Sequence, residues 1–228
     1  MKSFFITSSG TEIGKTLVTA ALCHQLRQAG HTVQALKPVI SDFRDGDPET
    51  DSAVLLNALG LPTTPENIEQ MSPWRFAAPL SPDMAAAREG RTINFDALVA
   101  HCRAAADKPG DVLLIEGVGG VMVPLTHDKM VRDWMAAMGA PALLVVGSYL
   151  GTISHTLSAA DALLMGDVPL KAVIVSTSEE SPVPVEETAE TLSRFLDGVP
   201  VVTMPRLDGD KSNLWQNAPD LIDLLLPS

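Results

Sequence analysis

At 228 residues the chain is long for one small domain and short for two, and a hydrophobic content of 46% can fill one sizeable core, so a single domain over 1–228 is expected. The formal net charge of −12, with no run of Lys or Arg, lacks the footprint of a nucleic-acid binder. No apolar run approaches the roughly 18 residues of a membrane span, and Cys23 and Cys102 make neither a disulfide framework nor a zinc site, so the expectation is a soluble, cytoplasmic protein with buried, reduced thiols and no membrane partner.

In chain order, Phe4 to Thr7 reads as a strand, and Ser8-Ser9-Gly10-Thr11-Glu12-Ile13-Gly14-Lys15-Thr16 follows it. Leu17, Val18, Ala20, Ala21, Leu22 and Leu26 then recur at helical spacing until Gly30. Strand, loop and helix start together form the context in which Gly-Lys-Thr binds phosphate. Loop N–H groups and the helix N-terminus attract the phosphate chain, Lys15 reaches its outer phosphates, and the Thr16 hydroxyl can ligate Mg²⁺. The pattern G-x-x-x-x-G-K-[ST], counted back from Gly14, asks for its first glycine at Ser9, and neither Ser8 nor Ser9 supplies one.

Thr32 to Leu36 reads as a second strand, ended by Lys37-Pro38 because proline cannot continue an interior ladder. Lys37 is thereby delivered to a strand's carboxyl end, where open parallel sheets bind ligands; on residue type alone it could equally be a solvated lysine. Residues 42–49 are a polar loop, and Thr50 or Asp51 caps a helix from Ala53 to Leu59. Asp51 either only caps, or joins Lys37 at the same sheet edge.

The proline-rich stretch from Gly60 to Pro82 reads as one long loop of the kind that covers an active site. Helical patterns follow over Asp83 to Arg88 and Asn94 to Ala106. Asp111 to Glu116 is continuously apolar until its closing glutamate, as a strand buried on both faces must be. A carboxylate there needs a reason; in a phosphate-loop protein the usual one is Mg²⁺. Gly117-Val118-Gly119-Gly120 either brings backbone close to something or is only a turn. Beyond it come a helix from Met130 to Met138, a strand over 142–146, a helix from Thr152 to Met165 and a strand over 172–175. A helix from Val185 to Leu196, a strand over 200–204 and a helix from Asn213 to Leu226 complete the chain. The alternation predicts an α/β fold of the P-loop NTPase kind, a mostly parallel sheet with helices on both faces. The five histidines show no ligand spacing.

Thr16, Asp51 and Glu116 are oxygen ligands of the kind Mg²⁺ takes, and Lys15 and Lys37 supply cationic charge for a transferring phosphoryl group. Spacing stops there, without naming the acceptor. The series Thr11 to Thr16, Lys37-Pro38-Val39 with Ser41, Thr50 to Ala53, Pro79-Leu80-Ser81-Pro82, Glu116 to Gly120 with Val123-Pro124-Leu125, and Leu150-Gly151 resembles the motif series of the dethiobiotin synthetases in order and spacing. The strongest parts are Lys-Pro-Val and Glu-Gly-x-Gly-Gly.

The resemblance implies that 7,8-diaminononanoate and CO₂ form a carbamate, which is phosphorylated from ATP and closes to a ureido ring with release of phosphate. It implies Thr11, Lys15, Lys37 and Ser41 as the catalytic set, and Mg²⁺ held by Thr16, Asp51 and Glu116. Nucleotide would be held by Glu12, Ile13, Gly14, Lys15, Thr16, Leu17, Ser176, Pro205 and Leu207. Substrate would be held by Ser41, Pro79, Ser81, Gly117 and Val118, with its carboxylate tail at Gly151, Thr152, Ile153 and Ser154 of a second subunit in a homodimer. Two departures stand out. Ser8 replaces the family's first loop glycine and Gly10 its aspartate, so loop geometry is expected to differ. Ser176 stands where the family offers an asparagine to the purine base, which opens the site to nucleoside triphosphates other than ATP. The alternatives are a partition or septum-positioning switch ATPase, whose early loop lysine is replaced here by Gly10, and an amidoligase of the cobyrinate type, whose glutaminase domain this chain is too short to include.

Overall fold

The computed structural model describes residues 1–209 and 213–226. The chain opens with β1 (Lys2–Ser8), α1 (Lys15–Gln28) and β2 (Val33–Leu36). A middle section follows, made of β3 (Val39–Ile40), α2 (Asp51–Ala58), α3 (Pro65–Met71), β4 (Trp74–Arg75), α4 (Pro82–Arg88) and α5 (Phe95–Ala106). Regular alternation then runs through β5 (Val112–Glu116), α6 (Val131–Met138), β6 (Ala142–Val146), α7 (Thr152–Met165), β7 (Leu170–Ser176), α8 (Val185–Ser193) and β8 (Val201–Met204).

Six strands make one parallel sheet in the order β2-β5-β1-β6-β7-β8, and β3 pairs with β4 in a small parallel ribbon. Because all six strands of the large sheet run the same way, the loops after β1, β2 and β5 leave one common edge. That is where an open α/β sheet places its ligand crevice.

Successive side chains of a strand point to opposite faces, so the unbroken apolar runs serve two cores. Phe5, Leu113, Ile115, Leu144 and Val173 pack with α5 to α8 through Leu98, Trp134, Leu163 and Leu192. Phe4, Ile6, Leu114, Val145 and Ile174 pack on the other face against Leu22 and Leu26 of α1 and Leu55 and Leu56 of α2. Trp134 meets Phe5 edge-on, with ring centroids 4.7 Å apart, a favourable aromatic geometry. Cys23 and Cys102 are free and fully buried; burial pushes both thiols up, that of Cys102 to about 12.

Two expectations are corrected. The 60–82 stretch is not one loop, since it contains α3, β4 and the start of α4. Its prolines were read as breakers, yet Pro65 and Pro82 each open a helix, where the missing N–H costs nothing. Thr64 caps α3 by accepting from the Asn67 N–H at 3.2 Å. Toward the C-terminus, the helix expected over 213–226 is instead two 3₁₀ turns, Leu214–Asn217 and Ile222–Leu224. Prolines at 219 and 227 fall within or just beyond that span, the second of them outside the described residues. Trp215, Leu221 and Leu225 still bury against the α1 side, so the apolar spacing was real and its period misread. Among the described residues no helix is long and apolar enough to cross a membrane.

Candidate active site

β1 ends at Ser8, and the chain turns through Glu12 (φ 59°) and Gly14 (φ 99°) into α1. Both sit in the left-handed region, which glycine adopts freely and other residues at a cost. Gly14 caps the helix in this conformation, and a Cβ there would lie 3.1 Å from the Ser176 hydroxyl. Gly14→Ala is therefore expected to cost about 1–2 kcal/mol of stability and to push the loop off Ser176. The check is a lower denaturant midpoint with an unchanged slope; an unaltered midpoint would refute the strain.

Lys15, the first residue of α1, is nearly buried, and its ammonium donates to the Ser8 hydroxyl at 3.1 Å and to the Gly10 carbonyl at 3.4 Å. Burial, then the nearby Lys37 charge, bring its pKa down to about 8. One turn of backbone thus gathers loop N–H groups, a helix N-terminus and an ammonium in the arrangement that attracts a phosphate chain.

Lys37 follows β2 and is 3% exposed. Its ammonium lies 2.7 Å from Asp51 Oδ2, 2.7 Å from Glu116 Oε1 and 2.9 Å from the Gly117 carbonyl. Burial alone would lower its pKa; the Asp51 and Glu116 carboxylates outweigh burial and raise it. Asp51 answers in kind: burial opposes its charge, and Lys37 holds its carboxyl below the usual range. The solvated-lysine reading of Lys37 is thereby removed. Thr50, not Asp51, caps α2, accepting from the Ala53 N–H, so both Asp51 oxygens are available for the site.

Thr16 Oγ1 stands 2.8 Å from Asp51 Oδ1 and 2.8 Å from Glu116 Oε1. One hydroxyl hydrogen can serve only one of these carboxylates. Glu116 itself is fully buried, and its Oε2 has no hydrogen-bond partner among the described residues. A buried carboxylate oxygen without a donor, beside a second carboxylate and a hydroxyl, is an all-oxygen set that suits Mg²⁺, which takes few protein ligands and keeps several waters.

The glycines after Glu116 approach the phosphate loop. A Cβ on Gly120 would lie 3.2 Å from the Ser8 carbonyl and 3.3 Å from the Gly10 nitrogen, and the Val121 N–H donates to Ser8 O at 3.0 Å. These residues are thus more than a turn. They let the loop after β5 lie against the loop after β1.

The two loops, Lys37 and the β3–β4 region border a cleft of about 800 Å³. Of the residues singled out from sequence, Thr11 through Thr16, Lys37, Asp51 and Val118 line it, with Ser41, Pro79 and Ser81 on the wall beside β3 and β4. Backbone bonds from Asp42 N to Ala78 O and from Phe43 N to Phe76 O hold that wall together. Glu116 and Gly117 lie behind the lining and reach it through Lys37. Ser176 touches the cleft only by way of Gly14. Leu17, Pro205, Leu207 and the α7 start, Gly151 to Ser154, do not line the cleft of their own chain. Sequence reasoning marked Ser8 only as a place where loop geometry would differ and missed its hydroxyl as a partner of Lys15. It also passed over Arg44, which lines the cleft from a loop read only as polar.

The AAA domain model AAA_26 matches residues 2–207. The chain is 50% identical over 215 residues to the ATP-dependent dethiobiotin synthetase BioD of Methylobacterium nodulans, covering 92% of this chain and 95% of that protein. The chain belongs to the dethiobiotin synthetase family. A second dethiobiotin synthetase, from Caulobacter vibrioides, is 40% identical over 228 residues, 99% of this chain and 100% of that one. The fold is shared more widely. A ParA family ATPase from Chlorobium tepidum aligns with a TM-score of 0.56 at 12% identity, covering 100% of this chain and 94% of that one. The MinC:MinD cell division complex of Aquifex aeolicus gives 0.58 at 16% identity, covering 94% and 86%. At such identities these two speak for the P-loop architecture alone, and they do not favour a switch ATPase over a dethiobiotin synthetase.

Proposed function

We propose that the chain is an ATP- and Mg²⁺-dependent dethiobiotin synthetase, a cyclo-ligase that forms carbon–nitrogen bonds. One observation carries the residue assignments: Lys37 joins the phosphate-loop hydroxyl Thr16 and the carboxylates Asp51 and Glu116 in one bonded cluster beside a cleft of about 800 Å³. Family membership supports the reaction itself.

In this reading the triphosphate lies along Glu12 to Leu17, with Lys15 at its outer phosphates and its base toward Ser176, Pro205 and Leu207. Thr16, Asp51 and Glu116 would hold Mg²⁺, which supplies positive charge to the phosphate chain. A carbamate is a poor electrophile until phosphorylation gives it a leaving group. Its anionic oxygen must then be held near an anionic γ-phosphoryl, and that repulsion has to be offset by cations fixed in advance. Lys37 and Lys15 are placed for that role, with Thr11 beside them. Ser41, Pro79, Ser81, Gly117 and Val118 would take the diamine end of the substrate. After phosphoryl transfer the second amine attacks the carbamoyl carbon, a ureido ring forms and phosphate leaves.

The test is phosphate release from purified protein given 7,8-diaminononanoate, bicarbonate, Mg²⁺ and each nucleoside triphosphate in turn. Release that depends on the diamine is expected. Release at the same rate without it would instead favour the switch-ATPase reading. Because the Ser176 hydroxyl makes fewer hydrogen bonds than an amide, other triphosphates are expected within about tenfold of ATP, roughly the worth of one hydrogen bond. A preference for ATP far beyond that would remove Ser176 from base selection.

The same proposal includes a cytoplasmic homodimer, with the substrate carboxylate at the α7 N-terminus, Gly151 to Ser154, of the other subunit. Leu150, 86% exposed just before that helix, supports a covered face there. A monomer by light scattering at assay concentration would refute it.

A further inference from the structure

Ser8 stands where the dethiobiotin synthetase motif has its first loop glycine, and its side chain is fully buried. Its hydroxyl is 3.1 Å from the Lys15 ammonium, 3.0 Å from the Gly119 carbonyl and hydrogen-bonded to the Gly10 carbonyl. With Lys15 donating, the Ser8 oxygen serves as acceptor, and its single hydrogen goes to one of the two carbonyls. Lys15 spends one of its three N–H groups on Ser8 and one on Gly10, which leaves one for a ligand. The Ser8 carbonyl meanwhile accepts from Val121 N–H in the loop after β5.

We infer that Ser8 is a positioning residue for Lys15: its hydroxyl fixes the direction of the ammonium at the mouth of the phosphate loop and ties that loop to the Gly117–Gly120 loop. A glycine at this position would leave the ammonium with the Gly10 carbonyl alone and free to swing on its four-carbon stem. Holding the charge in place before the ligand arrives reduces the ordering that binding must impose. Hydrogen bonds to charged groups are the stronger kind, so the hydroxyl's loss should be legible in affinity.

This rests on the nucleotide reading of the loop, and the test separates the two. ATP affinity is measured by calorimetry on the full chain for wild type, Ser8→Ala and Ser8→Gly, the glycine variant guarding against a folding defect specific to alanine. Both are expected to bind ATP about tenfold more weakly, with the KM for ATP raised and the KM for the diamine unchanged. On a Lys15→Met background, Ser8→Ala is expected to cause no further loss. Unchanged affinity in both Ser8 variants, an equal rise in both KM values, or the same tenfold loss on the Lys15→Met background would each overturn the inference. Absence of ATP binding by the wild type would overturn the nucleotide reading itself.

Discussion

Lys37→Ala is expected to abolish ring closure, lowering kcat by about 10²–10³-fold or more, the size of effect seen when one preorganised donor is removed from a developing negative charge. The variant should still fold. The ammonium it loses bridges Asp51 and Glu116 at 2.7 Å each, so its removal leaves two carboxylates facing one another with only the more distant Lys15 charge to offset them. Breaking a fully buried pair costs about 3–5 kcal/mol; Asp51 keeps contact with solvent, so the loss here should fall below that range. Addition of Mg²⁺ is expected to recover part of this stability in the variant, because the same carboxylates then regain a cation. Normal turnover of diaminononanoate, bicarbonate and ATP by Lys37→Ala would remove the residue from the catalytic set.

Asp51→Ala and Glu116→Ala should act differently, raising the Mg²⁺ concentration needed for half-maximal activity. Loss of a residue that merely orients a metal ligand costs about 10–100-fold in metal affinity; loss of a ligand should cost at least as much. Glu116 is expected to show the larger shift, since it is fully buried and its Oε2 has no other partner among the described residues, whereas Asp51 is partly exposed. Mg²⁺ titrations indistinguishable from wild type would leave both carboxylates as structural partners of Lys37.

Much of this site could be read from the chain because its pieces sit at strand ends, and strand ends are legible. Lys37 was placed by the proline after it and Glu116 by the apolar run before it. In both cases a local steric or burial rule fixed the edge of the sheet. What could not be read was which neighbours the side chains choose. Asp51 could not be told apart from Thr50 as the cap of α2, because either residue type satisfies the same N–H groups. The contact between Gly120 and Ser8 joins loops 112 residues apart in number (120 − 8), and no periodicity reports on it. The helix α3 was hidden by its own proline, whose effect depends on whether it opens a helix or interrupts one. The 3₁₀ turns near the C-terminus kept the burial their spacing implied and lost the helical hydrogen bonding, because tertiary packing decides that choice over so short a span.

The cluster around Thr16 also says something about how this chain folds. Thr16 meets Glu116 across 100 residues of sequence, and Lys37 meets the same carboxylate across 79. Contacts so distant along the chain form only after the intervening loop entropy has been overcome, so they are expected late in assembly. β1 and β2 are joined only through β5, so the strands that carry the phosphate loop and Lys37 enter the sheet together with the strand that ends at Glu116. Ligand can therefore engage the complete site only in the finished protein, drawing the population toward it by mass action and offering no template to earlier states.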